Sequence, residues 1–235
     1  MKKTEAAYHR MALHYDERWG PYLNGTLERA VRAYIHAEEP FRLLDVACGT
    51  GELIKRLKEK FPKASFVGID AASGMIDRAK VKLGEDSRVK LHRASASELP
   101  FADGSFDWVT CINSLHCFSE AEAVIGQMIR VLKPRGRLLL MDWCRDSRVC
   151  RWLNQWCRWF DPTHVWMHST QEIRRMLEKQ KLLLTPADRF RLSGPGSLKL
   201  WEMVAFVGIK PLVGELVSPG RCDSIRLIER STGPA

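Results

Sequence analysis

From position 42 onward, short and uniformly apolar runs alternate with longer stretches whose apolar residues recur every three or four positions. Arg42–Val46 reads as a strand, and a glycine-containing turn then leads into a helix over Glu52–Lys60, with Leu53, Ile54, Leu57 and Phe61 at helical spacing. Residues 64–69 read as the next strand, and a helix from Ser73 to Leu83 carries Met75, Ile76 and Ala79 on one face. Residues 89–92 and 106–113 follow as strands, the second introduced by the turn Ala102-Asp103-Gly104-Ser105. Ser119 is expected to cap a helix to Leu132, which Lys133-Pro134-Arg135-Gly136 would stop before a leucine-dense strand at 137–142.

Strands that are apolar throughout, alternating with helices, imply a parallel sheet covered on both faces. Beyond residue 142 the pattern changes. An aromatic helix is expected over 145–160, and another opening at Ser169 or Thr170 and running through Lys181. Residues 189–192 and 198–209 read as two late strands, joined in a hairpin by Ser193-Gly194-Pro195-Gly196. Residues 3–38 read as helical with a break at Gly20-Pro21. The expected fold is α/β: a Rossmann-like, seven-stranded, mostly parallel sheet with an antiparallel C-terminal hairpin and helices on both faces. The organisation is a single domain over 1–235: a helical lid (1–40), a cofactor-binding core (41–142), a substrate cap (143–185), the hairpin (186–210) and a tail (211–235).

Composition adds exclusions. The 235 residues suit one ordinary domain, and 45% hydrophobic with 28% charged residues is normal for a chain that buries a core. The longest apolar stretches, near 138–141 and 203–209, fall far short of the ~20 residues of a membrane span. Met1-Lys2-Lys3-Thr4-Glu5 has the charge of a signal peptide without an apolar segment behind it, so the expected setting is cytoplasmic. Seven cysteines without a CxxC pair argue against a disulfide framework and a thiolate zinc site, and no metal is expected. The net charge of +9 is spread along the chain, which suits a solvated basic surface and leaves a nucleic-acid partner open.

The most informative segment is Leu43-Leu44-Asp45-Val46-Ala47-Cys48-Gly49-Thr50-Gly51-Glu52-Leu53, where a strand ends in a glycine turn and a helix begins at once. Glycines there let backbone approach a ligand at the carboxyl edge of the sheet. Position 54 is Ile, so the third glycine of a pyrophosphate-binding G-x-G-x-x-G turn is missing, and a P-loop is absent as well. The turn suits a nucleoside without phosphates. Asp70, at the end of the second strand, is placed to accept hydrogen bonds from ribose hydroxyls, and capping the following helix is its structural alternative.

These segments, with Ser73-Gly74-Met75, Glu98-Leu99-Pro100-Phe101, Ser105-Phe106-Asp107 and residues 131–140, resemble the class I S-adenosylmethionine-dependent methyltransferases, in the branch containing quinone-biosynthesis C-methyltransferases. The resemblance covers roughly two-fifths of the chain, and Tyr15-Asp16 extends it to a first helix that folds over the cofactor. It implies S-adenosylmethionine as co-substrate, with Asp45 facing the methionine amino group and the loop Ala47, Cys48, Gly49, Thr50 and Gly51 giving backbone contacts. Asp70 and Ala71 would hold the ribose side, Met75 would pack on the adenine, Ser95 and Ala96 would line the adenine edge, Asn113 would look onto the methionine end and the methyl, and Tyr15 would belong to the helix over the cofactor. Two departures stand out. Ala47 replaces a commoner glycine, and Ser95 occupies the place of an acidic residue.

A sulfonium carries its methyl already activated, so catalysis rests on alignment and exclusion of water. A general base is needed only for a protonated acceptor. His116, just past the fourth strand, is the base candidate, with a backbone-bonded helix-start histidine as its alternative; His164 and His168 fall in the cap. The stripe Trp152, Trp156, Trp159 and Phe160 is expected to form the buried face of the cap helix, or else to line a pocket for a flat acceptor. The leading function is methyl transfer to a small organic molecule. An RNA methyltransferase and a non-catalytic cofactor-binding homologue are the alternatives. Acceptor identity and oligomeric state are not readable from the sequence.

Overall fold

The computed structural model describes residues 3–192 and 201–212. Helices α1 (Lys3–Met11) and α2 (Tyr15–Arg29) lead through a π-helical turn, Ala30–Tyr34, into β1 (Arg42–Val46), α3 (Glu52–Lys60), β2 (Ser65–Asp70), α4 (Ser73–Leu83), β3 (Val89–Arg93) and β4 (Phe106–Ile112). A 3-10 turn at Leu115–Cys117 precedes α5 (Ala121–Val131), β5 (Leu132–Trp143), α6 (Arg148–Phe160), α7 (Thr170–Lys179), β6 (Leu183–Leu184), β7 (Asp188–Leu192) and β8 (Trp201–Ile209). The strands lie in the order β3-β2-β1-β4-β5-β8-β6, with β7 also on β8. The first five are mutually parallel, and β8 runs antiparallel to β5. The two-residue β6 and β7 pair with opposite ends of β8, so together they fill one strand position and the sheet is seven positions wide.

The apolar strands feed two cores. Leu43, Phe66, Trp108 and Leu139 point into one cluster with Leu53, Ile54 and Leu57 of α3, whereas Leu44, Val67, Val109 and Leu140 point into a second with Val124, Ile125 and Met128 of α5. Period-two alternation inside a continuous apolar run is what a sheet buried on both sides demands. The carboxyl ends of the parallel strands, at Val46, Asp70, Ile112 and Trp143, therefore lie at one edge of the sheet.

Four local expectations are corrected. The predicted break at Gly20-Pro21 does not occur: Pro21 sits inside α2, and burial of Leu23, Thr26 and Leu27 outweighs the one hydrogen bond that proline removes. The chain breaks instead between Met11 and Tyr15. Ser119 does not cap α5, whose N-cap is Glu120 without a side-chain bond, and Leu132 is already extended and pairs with Phe106. Residues 133–136, expected as a helix stop outside the sheet, lie inside β5 at a register shift, with Arg135 at φ 65°. Finally, the aromatic stripe of α6 is not its buried face. Trp159 is 81%, Trp152 66%, Phe160 67% and Trp156 49% exposed, while Cys150, Asn154 and Cys157 are the buried residues.

Other elements match their expectation closely. Ser169 opens α7 through a capping box with Glu172, and Ser147, rather than a residue near 145, caps α6 by accepting from the Cys150 N–H at 3.2 Å. β7 and β8 pair antiparallel as the hairpin reading required. Its turn, Ser193 to Gly196, and the tail beyond residue 212 lie outside the described residues.

Candidate functional site

At the carboxyl edge a cavity of about 340 Å³ opens between the strand ends and the first two helices. Tyr15, Ala47, Gly49, Asp70, Ala71, Met75, Ser95, Ala96 and Asn113, nine of the residues picked out from the sequence, line it. Asp45, Cys48 and Thr50 line a smaller adjoining cavity of about 50 Å³, which shares Tyr15, Ala47, Gly49 and Asn113. Gly51 lines neither. It is the N-cap of α3 at φ 78°, and a Cβ there would meet the Leu83 side chain at 2.8 Å, so its glycine is needed for helix packing and handedness.

Backbone handedness shapes the loop. Ala47 at φ 57° and Gly49 at φ 55° are both left-handed. A Cβ on Gly49 would meet no protein atom within 4 Å, so that glycine keeps open space beside backbone that a ligand can approach. Asp70 Oδ2 accepts the Gly49 N–H at 3.0 Å and Oδ1 accepts the Ala72 N–H at 2.9 Å. One carboxylate thus orders the loop and the start of α4, and each oxygen keeps a lone pair for a ligand hydroxyl.

The electrostatics favour a cation. Burial pushes Asp45 up to about 7, against the pull of the Thr110 hydroxyl that donates to it at 2.7 Å, and Asp70 adds repulsion. Burial likewise raises Asp70 to about 6, opposed by the Ala72 and Gly49 N–H groups, with Glu5 contributing further repulsion. Two neighbouring carboxylates, one buried and one partly buried, that resist ionising are relieved by a positive ligand and would repel a pyrophosphate. A sulfonium nucleoside bearing an ammonium group fits that pair, the remaining lone pairs of Asp70 and the open face of Gly49.

Helices α1 and α2, read from the sequence as a lid, border the cavity. His9 Nδ1 accepts the Gly74 N–H at 3.0 Å, so α1 caps the N-terminus of α4, and Ala12 packs with Ala72 and Met75. Asp16 accepts from Thr50 at 2.6 Å and pairs with Lys82 at 2.7 Å, which ties α2 to the glycine loop. Asn113, at φ 59°, spends its side chain on this lid: Oδ1 accepts the Tyr22 hydroxyl at 2.7 Å and Nδ2 donates to Thr26 Oγ1 at 2.9 Å. Its backbone still lines the cavity. The Ser95 hydroxyl is bonded to Ser97 Oγ at 2.8 Å. Glu5 and Glu120, which sequence reasoning missed, supply carboxylates to the same lining.

The other wall is built around His116, which is buried and absent from the residues lining the cavity. Its Nδ1 donates to Asp142 Oδ1 at 2.8 Å and its backbone N–H to Oδ2 at 2.7 Å. Burial alone would push the imidazole down, but the Asp142 carboxylate and Cys117 hold it well above its ordinary value. The ring stacks on Trp143 at 4.5 Å and on His164 at 5.5 Å. His164 donates through Nε2 to Asn154 Oδ1 at 2.9 Å, and burial with the neighbouring His116 lowers it to about 4. His116 carbonyl oxygen accepts the Val165 and Trp166 N–H groups, at 2.9 and 3.0 Å, which seats Val165 in the cavity wall beside Tyr8, Cys117 and Phe118.

Comparison with known proteins gives this geometry its context. A family profile described as a methyltransferase domain matches residues 43–136. The match spans the strands and turn that the sequence reading likened to the class I S-adenosylmethionine-dependent methyltransferases. Over 115 residues it is 39% identical to a demethylmenaquinone methyltransferase of Deinococcus radiodurans, covering 48% of each protein. It is 30% identical over 155 residues to the uncharacterized methyltransferase YcgJ of Bacillus subtilis, covering 64% of this chain and 60% of that one. The chain thus spans about half to three-fifths of these curated relatives. Among solved structures, a chain of the complex between the Haloferax volcanii Trm112 methyltransferase activator and a methyltransferase superposes with TM-score 0.74 at 17% identity, covering 87% and 98% of the two chains. At that identity the likeness shows the fold. The matched residues include the strands and loop that surround the carboxylate pair, while α1, α2 and α6 lie outside them. Among the described residues, no helix is long and apolar enough to cross a membrane.

Proposed function

We propose that this chain transfers the methyl group of S-adenosylmethionine to a small organic acceptor seated against Tyr8, Cys117, Phe118 and Val165. The observation that carries the reading is a pair of carboxylates, buried Asp45 and partly buried Asp70, raised to about 7 and about 6 around a left-handed glycine loop that borders the two adjoining cavities. When bound, the cofactor supplies a methyl on a positive sulfur, a leaving group that needs no activation by the protein. The chain's own residues then hold and orient. Asp45 faces the amino end, Asp70 the ribose, and Met75 the adenine. Tyr15 and the backbone of Asn113 border the methyl end, and Tyr8 and Val165 close the site against water. Glu5 and Glu120 offer the acceptors for an adenine amino group that Ser95 does not.

His116 enters as a positioning residue rather than a base. Protonated and donating to Asp142, it has no lone pair to take a proton, and it braces the wall that carries Val165. An apolar or aromatic acceptor suits Tyr8, Phe118 and Val165. Two relatives, named demethylmenaquinone methyltransferase and malonyl-[acyl-carrier protein] O-methyltransferase, support an acceptor other than nucleic acid. An RNA acceptor is disfavoured, because the described lining holds Glu5, Asp70 and Glu120 and neither Lys nor Arg. The setting we assign is cytoplasmic, on the strength of seven cysteines lacking a disulfide framework.

Calorimetric titration with S-adenosylmethionine tests the reading. Wild type should bind at roughly micromolar strength, and Asp70→Ala should weaken binding on the order of 10- to 100-fold, the worth of a charged hydrogen bond. A folded wild type that fails to bind would overturn it.

A further inference from the structure

Helix α6 presents a surface that the methyltransferase reading does not use. At about 100° per residue, its buried Cys150, Asn154 and Cys157 share one side, and Trp152 and Trp159 fall roughly opposite. Trp156 and Phe160 extend the aromatic face along one flank, their rings 5.4 Å apart. Arg151 and Arg158 occupy the other flank, and Arg148 lies beside Trp159 in projection. The solvent-facing half of the helix is therefore divided lengthwise into an aromatic strip and a basic strip.

We infer that α6 is a docking helix for an anionic lipid bilayer surface, lying in the headgroup plane with its tryptophans inserted and its arginines on lipid phosphates. Exposed aromatic rings of this size cost solvation free energy unless something covers them. The charge pattern selects the cover. The helix carries no acidic residue, Asp146 at its start is bonded to Arg189 and the Thr170 N–H, and Asp161 at its end accepts from Thr163. Among the described residues, Arg148, Arg151 and Arg158 form no ion pair, although Arg158 lies over the Trp166 ring, and their positive charge sits beside indole rings with the amphipathic character that headgroup regions favour. A second copy of the chain fits less well, since a two-fold pairing of this face would bring the same arginines towards one another. Docking here has a geometric consequence. The segment leaving α6 carries Val165, which lines the cavity wall, so the bilayer would lie next to the acceptor side of the site. The inference rests on α6 alone and stands whether or not the chain proves to be a methyltransferase.

Co-sedimentation and tryptophan emission with vesicles of phosphatidylcholine, alone and mixed with phosphatidylglycerol, test it on the full chain. Wild type is expected to partition onto the mixed vesicles with blue-shifted emission, and to be released by salt. The triple variant R148Q/R151Q/R158Q should lose affinity for the mixed vesicles on the order of a hundredfold, at about fivefold per arginine. W152S/W159S should lose a comparable factor on the same vesicles, through the aromatic area it removes. All five positions are solvent-exposed, so folding is expected to survive, and far-UV circular dichroism verifies it. Three results would overturn the inference: no partition by wild type, partition indifferent to both variants, or a wild-type dimer in light scattering that W152S/W159S converts to a monomer.

Discussion

The two walls of the cavity are stabilised by different means. On the cofactor side, residues 43–75 are shaped by backbone: left-handed Ala47, Gly49 and Gly51, and one carboxylate, Asp70, gathering two N–H groups. On the proposed acceptor side, the wall that carries Val165 is backed by a stack of side chains drawn from three segments, His116, Trp143 and His164, clamped by Asp142 and Asn154. The first arrangement requires glycine at fixed spacing and a carboxylate at a strand end. The second requires only that distant side chains meet. A cofactor common to many enzymes can be met by the first kind of wall unchanged, while the second can be rebuilt for each acceptor.

The sharpest way to break the acceptor wall is Asp142→Ala. It leaves the His116 imidazolium buried without its carboxylate, and removing one partner of a buried pair costs about 3–5 kcal/mol. Urea unfolding at neutral pH measures this. The pH dependence follows from the raised His116 value: its contribution is complete below the ordinary imidazole pKa and is lost as pH rises through the folded one. The deficit of Asp142→Ala should therefore narrow towards alkaline pH. A deficit under about 1 kcal/mol, or one that ignores pH, would show that the pair does not brace the wall.

The contrast between the walls also explains what was readable from sequence. The strand ends, Asp45, Asp70 and the loop were visible because a nucleotide-type turn restricts φ and so restricts residue type. The stack was not, because nothing in the spacing of His116, Asp142 and His164 marks their meeting. The π-π contact depends on β5 delivering Asp142 and Trp143 beside the 3-10 turn. The same gap misled the reading of α6, where helical spacing identified a stripe but could not say which side of it faces the protein. The short polar segment Cys150, Asn154 and Cys157 is the buried side, held by the Asn154 bonds to His164 and Met167. Pro21 inside α2 is a similar case, in which packing overrides a local preference.

On the cofactor wall the larger effect comes from Asp45→Asn. Because burial raises Asp45 to about 7, the native state holds a proton that the unfolded chain releases near pH 4. Stability from this group therefore falls as pH rises from about 4 to about 7 and is level above. The neutral amide avoids that penalty, so the variant without ligand should be more stable than wild type by up to about 4 kcal/mol at pH 8, and equal to it near pH 4. The same substitution should weaken S-adenosylmethionine binding on the order of tenfold or more, through the lost attraction for the amino group. Thermal scans at the two pH values, paired with calorimetry, separate these opposed effects. If Asp45→Asn is destabilising at pH 8, the carboxylate is not the buried, reluctantly ionised group described here.

The smallest effect tests the loop's handedness at its one unexpected residue. Ala47 sits at φ 57°, where a Cβ costs roughly 1–2 kcal/mol. Glycine would relieve that strain but would lose about 0.4–1 kcal/mol to the greater freedom of the unfolded chain. Ala47→Gly should then stabilise by about 0.5 kcal/mol, a rise in Tm of roughly 1–2 °C for a chain of this size. Gly49→Ala, at nearly the same φ, should move the other way by about 1 kcal/mol or more, and its new methyl would enter the space left for ligand. Opposite signs at two positions two residues apart are what a loop fixed by handedness requires. A stabilising Gly49→Ala, or a destabilising Ala47→Gly, would mean that side-chain packing rather than backbone conformation sets this wall, and the distinction between the two halves of the site would collapse.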